Sequence, residues 1–73
     1  MEIQVEVAKR IKELRKEKGL TQEALAWKSD IDRTFMNHIE TGKRNISLKS
    51  LQKIVVNGLE MSIATFFSTS QFS

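Results

Sequence analysis

The apolar residues of this 73-residue chain recur at spacings of three and four positions, a pattern typical of amphipathic helices. Val7, Ile11 and Leu14 form the first such set and predict a helix that starts near residue 5. This helix should end near Lys18, because Gly19 can adopt the left-handed conformation that closes a helix. The alternation expected of a strand is confined to residues 3–7. The pattern therefore predicts an all-α fold.

A polar break divides two short helical patterns between residues 21 and 42. Thr21 is a suitable N-cap for a second helix, and Asp32 is a suitable N-cap for a third after the break at residues 29–32. Two short helices joined by a tight turn are typical of a helix-turn-helix. We therefore predict this motif over about residues 21–42.

Two more helices are predicted in the second half of the chain. Ser47 can cap a fourth helix and Ser62 a fifth, while Gly42 and Gly58 are expected to end the third and the fourth. Residues 68–73 are polar apart from one phenylalanine and are expected to fray. The apolar residues that indicate the fourth helix are Leu48, Leu51, Ile54 and Val55. The prediction is a compact single domain of five helices over residues 1–73.

The composition limits what such a domain can do. The chain has no cysteine and one histidine, so we predict no metal, no cofactor and no assembled catalytic constellation. No apolar run approaches the roughly 20 residues that span a bilayer, and nothing at the start reads as a signal peptide. We expect a cytoplasmic protein without a membrane partner. A core this small is often supplemented by self-association.

The basic residues are concentrated around the predicted third helix. The chain carries a net charge of +3, but residues 33–53 contain five basic side chains and a single acid, a net +4. A basic segment that includes an exposed helix is typical of DNA-binding proteins. This distribution of charge predicts double-stranded DNA as the partner.

The outer face of the third helix carries side chains that can read bases. The fork of Arg33 matches guanine O6 and N7, and the amide of Asn37 matches adenine N6 and N7. For His38, a DNA contact and plain exposure are equally compatible with the sequence. The predicted base contacts are Arg33, Thr34, Asn37 and His38. The predicted phosphate contacts, from the start of the second helix and the turn after the third, are Gln22, Lys43, Arg44 and Asn45.

Glu40 is the one acid in the basic segment, and it would repel phosphate if it faced DNA. We predict that it forms a structural ion pair with Arg15; the alternative is a solvated Glu40 at the edge of the domain. Trp27 and Phe35 could stack on unpaired bases, but packing at the core or its rim is the prediction.

Apolar residues concentrate near the carboxyl end, more than one short helix easily buries. We predict a homodimer with a dimerisation region at about residues 55–67; the alternative is that Phe66 and Phe67 complete the core of the monomer. The predicted interface residues are Leu59, Met61, Ile63, Phe66 and Phe67.

Several segments, KGLTQEALA, DRTFMNHIETGKRNIS and SLKSLQKI, resemble the lambda-repressor-type helix-turn-helix family, and within it the controller proteins of restriction-modification systems. The resemblance covers about residues 7–67. It implies a homodimer on a palindromic operator that regulates its own gene and that of an endonuclease, and it also implies the Arg15–Glu40 pair. It leaves a tetramer on DNA and contact with RNA polymerase open. Asp30 stands where the turn commonly has glycine, and Asp tolerates the left-handed conformation better than most residues.

One alternative function belongs to a different class. The same helices could form a phage-type repressor or antitoxin-like module that acts through a protein partner held at the Phe66 end. Salt separates the two functions, because DNA binding weakens steeply with salt through counterion release. An enzyme is disfavoured, since no nucleophile has a positioned base.

Overall fold

The computed structural model describes every residue from Met1 to Ser73 and contains helices and turns without a strand. The helices are α1 (Ile3–Glu17), α2 (Gln22–Lys28), α3 (Arg33–Glu40), α4 (Leu48–Gln52) and α5 (Ile63–Phe67). A π-helical turn (Lys53–Gly58) continues α4, and a 3-10 turn (Ser70–Phe72) follows α5. The predicted all-α fold with five helices is confirmed.

The predicted N-caps are confirmed at four helices. The side chains of Thr21, Asp32, Ser47 and Ser62 each accept a hydrogen bond from a backbone N–H in the first turn of the helix that follows. Each cap satisfies a donor that the helix itself leaves without a partner. The starts of α2 to α5 are thus fixed by residues adjacent in sequence.

The turn inside the helix-turn-helix depends on Asp30. Its φ is +55°, the left-handed conformation that glycine adopts most readily and that Asp tolerates. Ile31 N then donates to the Ala26 carbonyl at 2.9 Å, across the end of α2. The left-handed conformation of Asp30 therefore reverses the chain between α2 and α3.

The π-helical turn that continues α4 ends at Gly58, as predicted, but Gly58 does not form a left-handed cap. It is absent from the residues with positive φ, and a Cβ built on it would lie 2.2 Å from Ser29 Oγ and 2.7 Å from Leu25 Cδ1. The position requires glycine because the π-helical turn packs closely on α2. Gly19 and Gly42, with φ of +69° and +73°, do close α1 and α3 as predicted.

The core joins all five helices and the π-helical turn. Helices α1 and α3 pack on one another, and α2 packs on both α3 and the π-helical turn. None of the helices is both long and apolar enough to cross a membrane. The core consists of twelve residues, Val7, Ile11, Leu14, Leu25, Ala26, Met36, Ile39, Leu51, Ile54, Val55, Leu59 and Phe66.

The carboxyl end is ordered rather than frayed, so that prediction was wrong. Phe72 packs on the core and meets Phe67 edge to face with ring centroids 4.8 Å apart. Gln71 Nε2 donates to the Glu6 carbonyl of α1 at 2.9 Å. A single aromatic residue in a polar tail holds the 3-10 turn against the domain because it finds two other phenylalanines there.

Candidate nucleic-acid interface

Helix α3 presents its polar face to solvent. The Asp32 carboxylate accepts from Thr34 N at 2.9 Å and from Phe35 N at 3.3 Å, which fixes the first turn. Met36 and Ile39 are buried on the opposite face. The polar face of α3 therefore points away from the core. The Asp32 cap and the buried side chains of Met36 and Ile39 set the orientation of the helix.

Four of the predicted contact residues line one shallow groove between α2 and α3. They are Gln22, Arg33, Thr34 and Asn37. Gln22 comes from α2 and the other three come from α3, so the groove exists only because the turn at Asp30 brings these helices together. All four are polar, and the groove offers donors and acceptors rather than an apolar cavity.

Arg33 is held by a neighbour that the sequence analysis missed. Its Nη1 donates to Glu23 Oε2 at 3.1 Å, and both side chains are about 70% exposed (69% and 71%). A pair this exposed contributes about 0–1 kcal/mol. Glu23 thus offsets the unfavourable cation at the start of α3 and can release Arg33 at small cost. The sequence signal that could have predicted this pair is the acidic side chain of Glu23 in the first turn of α2.

The structure contains the ion pair between Arg15 and Glu40. Arg15 Nε donates to Glu40 Oε2 at 2.8 Å, and the Glu40 side chain is only 2% exposed. Arg15 Nη1 also donates to the Leu20 carbonyl at 2.8 Å. The acid in the basic segment is therefore turned inward and neutralised, and the pair ties α1 to α3.

The other predicted DNA contacts lie beyond the groove. Lys43, Arg44 and Asn45 are exposed after Gly42, in the turn that follows α3. That position suits backbone contact beside an inserted helix. His38 is only half-exposed and does not line the groove. The structure brings Lys43, Arg44 and Asn45 to one end of α3 and leaves His38 apart from the other base-reading residues.

Two predicted interface residues are corrected by the structure. Leu59 and Phe66 are fully buried within the protomer, because the π-helical turn and α5 use them to close the core. They have no surface to give to a second subunit. Met61 and Phe67 are half-buried and Ile63 is exposed, so these three stay available.

Leu48 lies in the fourth helix, as its apolar pattern predicts, but the side chain is 86% exposed. It lies at the first position of α4 and borders two apolar grooves. One is shared with Ile3 and Phe67, the other with Ile63. We call the exposed apolar surface of Ile3, Leu48, Ile63 and Phe67 the Leu48 surface.

Trp27 also departs from its prediction. It is 83% exposed on the outer face of α2, whereas Phe35 packs on the core, half-buried, as expected. No cluster of three or more potential metal-ligating side chains occurs in the chain. Of the predicted DNA contacts, all but His38 thus lie in the groove between α2 and α3 or in the turn after α3.

Comparisons with known proteins identify the family to which the chain belongs. A family model described as helix-turn-helix matches residues 11–56. The control protein C.MunI of a Mycoplasma species is 44% identical over 68 residues, covering 92% of this chain and 90% of that protein. The wild-type restriction-modification controller protein C.Esp1396I has a similar solved structure, with a TM-score of 0.82 and 48% identity over 88% of this chain and 82% of that one. A structure of that controller as a tetramer in complex with its natural 35-base-pair operator matches with a TM-score of 0.83, at 48% identity and with 88% and 83% coverage.

Proposed function

Because the chain belongs to the helix-turn-helix family, and within it to the controller proteins of restriction-modification systems, we propose that it binds a palindromic DNA operator as a dimer and regulates transcription. The observation that carries this proposal is the polar groove of Gln22, Arg33, Thr34 and Asn37. It lies on the exposed face of α3, beside a basic turn. A helix of this size fits the major groove of B-DNA.

The roles of the residues follow from their chemistry. Arg33 can exchange its exposed bond to Glu23 for the two acceptors of guanine, and Asn37 can pair with adenine. Thr34 offers a hydroxyl and a methyl group to base edges, and His38 lies one residue beyond Asn37. Lys43, Arg44 and Asn45 supply contacts that fix the position of the protein on phosphate without reading sequence.

A second copy of this chain is the partner that we propose for the Leu48 surface. Exposed apolar side chains that border continuous grooves mark a protein interface, and a domain of this size gains stability from one. Binding to a palindromic operator requires the dimer to hold its two α3 helices in successive major grooves about 34 Å apart. Met61 is the additional interface candidate.

The mode of transcriptional regulation is proposed from the family to which the chain belongs. A controller of this kind would activate its own gene and an endonuclease gene at low concentration, and repress them when an adjacent weaker site fills. The second dimer at that site would form a tetramer on DNA. The family is one of DNA-binding regulators, and we assign no catalytic activity to the chain.

The alternative of a module that acts through a protein partner loses Phe66 as a contact, and the apolar residues still available at that end, Ile63 and Phe67, belong to the Leu48 surface that we assign to a second copy. That alternative placed the partner at the Phe66 end, but Phe66 is fully buried in the core. The exposed polar groove, by contrast, has no apolar anchor of the kind that protein partners use.

The proposal is tested by selecting bound sequences from random duplex DNA at near-physiological salt. We expect the parent to enrich a palindrome, Arg33→Ala to lose preference at one symmetric base pair at a cost of about 1–3 kcal/mol, and Arg44→Ala to weaken all sequences alike. The affinity of Arg44→Ala should also depend less steeply on salt. Equal losses on every sequence for both variants would contradict the assigned roles, and a parent that enriches nothing would contradict the proposed function.

A further inference from the structure

Gln22 lies between the buried ion pair and the base-reading face of α3. Its Nε2 is 3.4 Å from Glu40 Oε1 and its Oε1 is 3.4 Å from Asn37 Nδ2, so it donates to the first and accepts from the second. The other carboxylate oxygen of Glu40 already accepts from Arg15. A continuous series of hydrogen bonds therefore runs from the buried guanidinium to an exposed side chain.

The direction of each bond in this series is fixed by Glu40. An ionised carboxylate can only accept hydrogen bonds, so Gln22 must turn its NH2 group toward Glu40. The carbonyl oxygen of Gln22 then faces Asn37, which must donate to it from its own NH2 group. An Asn or Gln amide alone is nearly symmetric in shape and can turn over, but these two are set by a carboxylate that the partly buried Arg15 holds in place.

The consequence is an oriented reading group on the DNA face. With one N–H of Asn37 bound to Gln22, its carbonyl oxygen and second N–H stay free in the groove. Adenine presents a donor at N6 and an acceptor at N7 in the major groove, which matches an amide held in one orientation. A freely turning amide would accept the reverse arrangement of donor and acceptor as well.

We propose that Gln22 is a positioning residue for sequence recognition: it transmits the orientation of the Arg15–Glu40 pair to Asn37, and so makes Asn37 selective for adenine. This inference rests on the proposed function. It gives Gln22 a role different from the phosphate contact predicted from sequence. A phosphate contact would strengthen binding to every sequence, whereas positioning changes the preference at one base pair.

The test uses Gln22→Met, which keeps the length of the side chain and removes both hydrogen bonds. Binding of the parent, Gln22→Met, Asn37→Ala and the double variant is measured on the selected operator and on duplexes altered symmetrically at the base pair where Asn37→Ala relaxes preference. We expect Gln22→Met to lose about tenfold in discrimination at that pair, the size of one bidentate contact. It should keep its discrimination at the Arg33 base pair and lose nothing more when Asn37 is already alanine.

Two further variants separate positioning from general affinity. Gln22→Lys can still donate to Glu40 but cannot accept from Asn37, so it should lose the adenine preference even though its charge strengthens binding to all DNA. Glu23→Gln is the matched control on the same turn, since Glu23 bonds Arg33 and not Asn37. It should leave the preference at the Asn37 pair unchanged.

The outcomes are distinct. A uniform loss across all duplexes for Gln22→Met would overturn the inference in favour of a phosphate contact. So would an undiminished adenine preference in Gln22→Lys, or an added loss of discrimination in the double variant. A parent that prefers no sequence would overturn the proposed function, and the inference with it.

Discussion

Glu40 shows at the scale of a single residue how a charge can serve a DNA-binding surface without facing it. Its carboxylate is buried, bonded to Arg15 and bonded to Gln22. Taking two charges out of water is costly, and this cost is offset in part because the second oxygen of Glu40 accepts from Gln22 and Nη1 of Arg15 donates to the Leu20 carbonyl. The Arg15–Glu40 pair holds α1 against α3, and the Glu40 carboxylate sets the orientation of Gln22.

Glu40→Gln should therefore be strongly destabilising. The substitution leaves Arg15, which is 11% exposed, without its counter-charge, and breaking a buried pair in this way costs about 3–5 kcal/mol. Urea unfolding measures the loss. A loss below about 1 kcal/mol would mean that the pair behaves as an exposed one.

Glu60→Gln is the matched control for that experiment. Lys28 Nζ lies 2.6 Å from Glu60 Oε2 in solvent, and its hydrogen bond and charge hold the pKa of the Glu60 carboxyl below its usual range. Stability from this pair is present above the usual pKa and is lost as pH falls through the lowered one. Because water screens the pair, the urea midpoint of Glu60→Gln at neutral pH should stay near that of the parent.

At the scale of the helix, the predictions that were confirmed are those that depend on residues close together in the sequence. The caps at Thr21, Asp32, Ser47 and Ser62 depend on residues within three positions, so the sequence contains all the information they need. The exposure of Trp27 and Leu48 depends instead on which neighbouring helix covers each face. Periodicity within one short helix cannot supply that information, because seven or five residues leave the apolar stripe poorly defined. The Gln22 bonds, likewise, join residues 15 and 18 positions apart.

The contact between α2 and the π-helical turn yields a prediction about packing. Gly58→Ala would place a methyl group 2.2 Å from Ser29 Oγ, and overpacking of this kind costs about 1–3 kcal/mol. Ser29→Ala should be neutral or stabilising, because its buried hydroxyl has no hydrogen-bond partner and burying such a group is unfavourable. The double variant should recover part of the loss, while Leu25 still crowds the site. Thermal unfolding of the three variants measures this.

Gly19→Ala is the control for Gly58→Ala. A Cβ at Gly19 meets nothing within 4 Å, but its φ is +69°. Its cost, about 1 kcal/mol, comes from backbone strain, so adding Ser29→Ala should not reduce it. Rescue of Gly19→Ala by Ser29→Ala, or a Gly58→Ala as stable as the parent, would contradict the packing explanation.

At the scale of the whole molecule, the surface that we propose for DNA and the one that we propose for a second subunit are adjacent. The Leu48 surface begins where the basic turn after α3 ends, since Asn45 and Leu48 border the same groove. A dimer formed there would fix the position of each α3 helix, because only the short turn of residues 41–47, which ends in the Ser47 cap, separates α3 from Leu48. Spacing of the half-sites would then depend on the interface rather than on any contact with bases.

Leu48→Glu should therefore convert the protein to a monomer. A carboxylate at the centre of an apolar interface loses its hydration without gaining a partner, whereas in the monomer it replaces a leucine that is 86% exposed, so folding should be unaffected. Light scattering at several concentrations measures the mass, and binding to a full palindrome and to a single half-site measures the coupling. We expect the affinity for the palindrome to fall toward the affinity for the half-site, which itself stays unchanged.

Trp27→Glu is the matched control, because Trp27 is 83% exposed and borders neither groove of the Leu48 surface. This variant should remain a dimer. A dimeric Leu48→Glu, or a monomeric Trp27→Glu, would place the twofold interface elsewhere on the molecule.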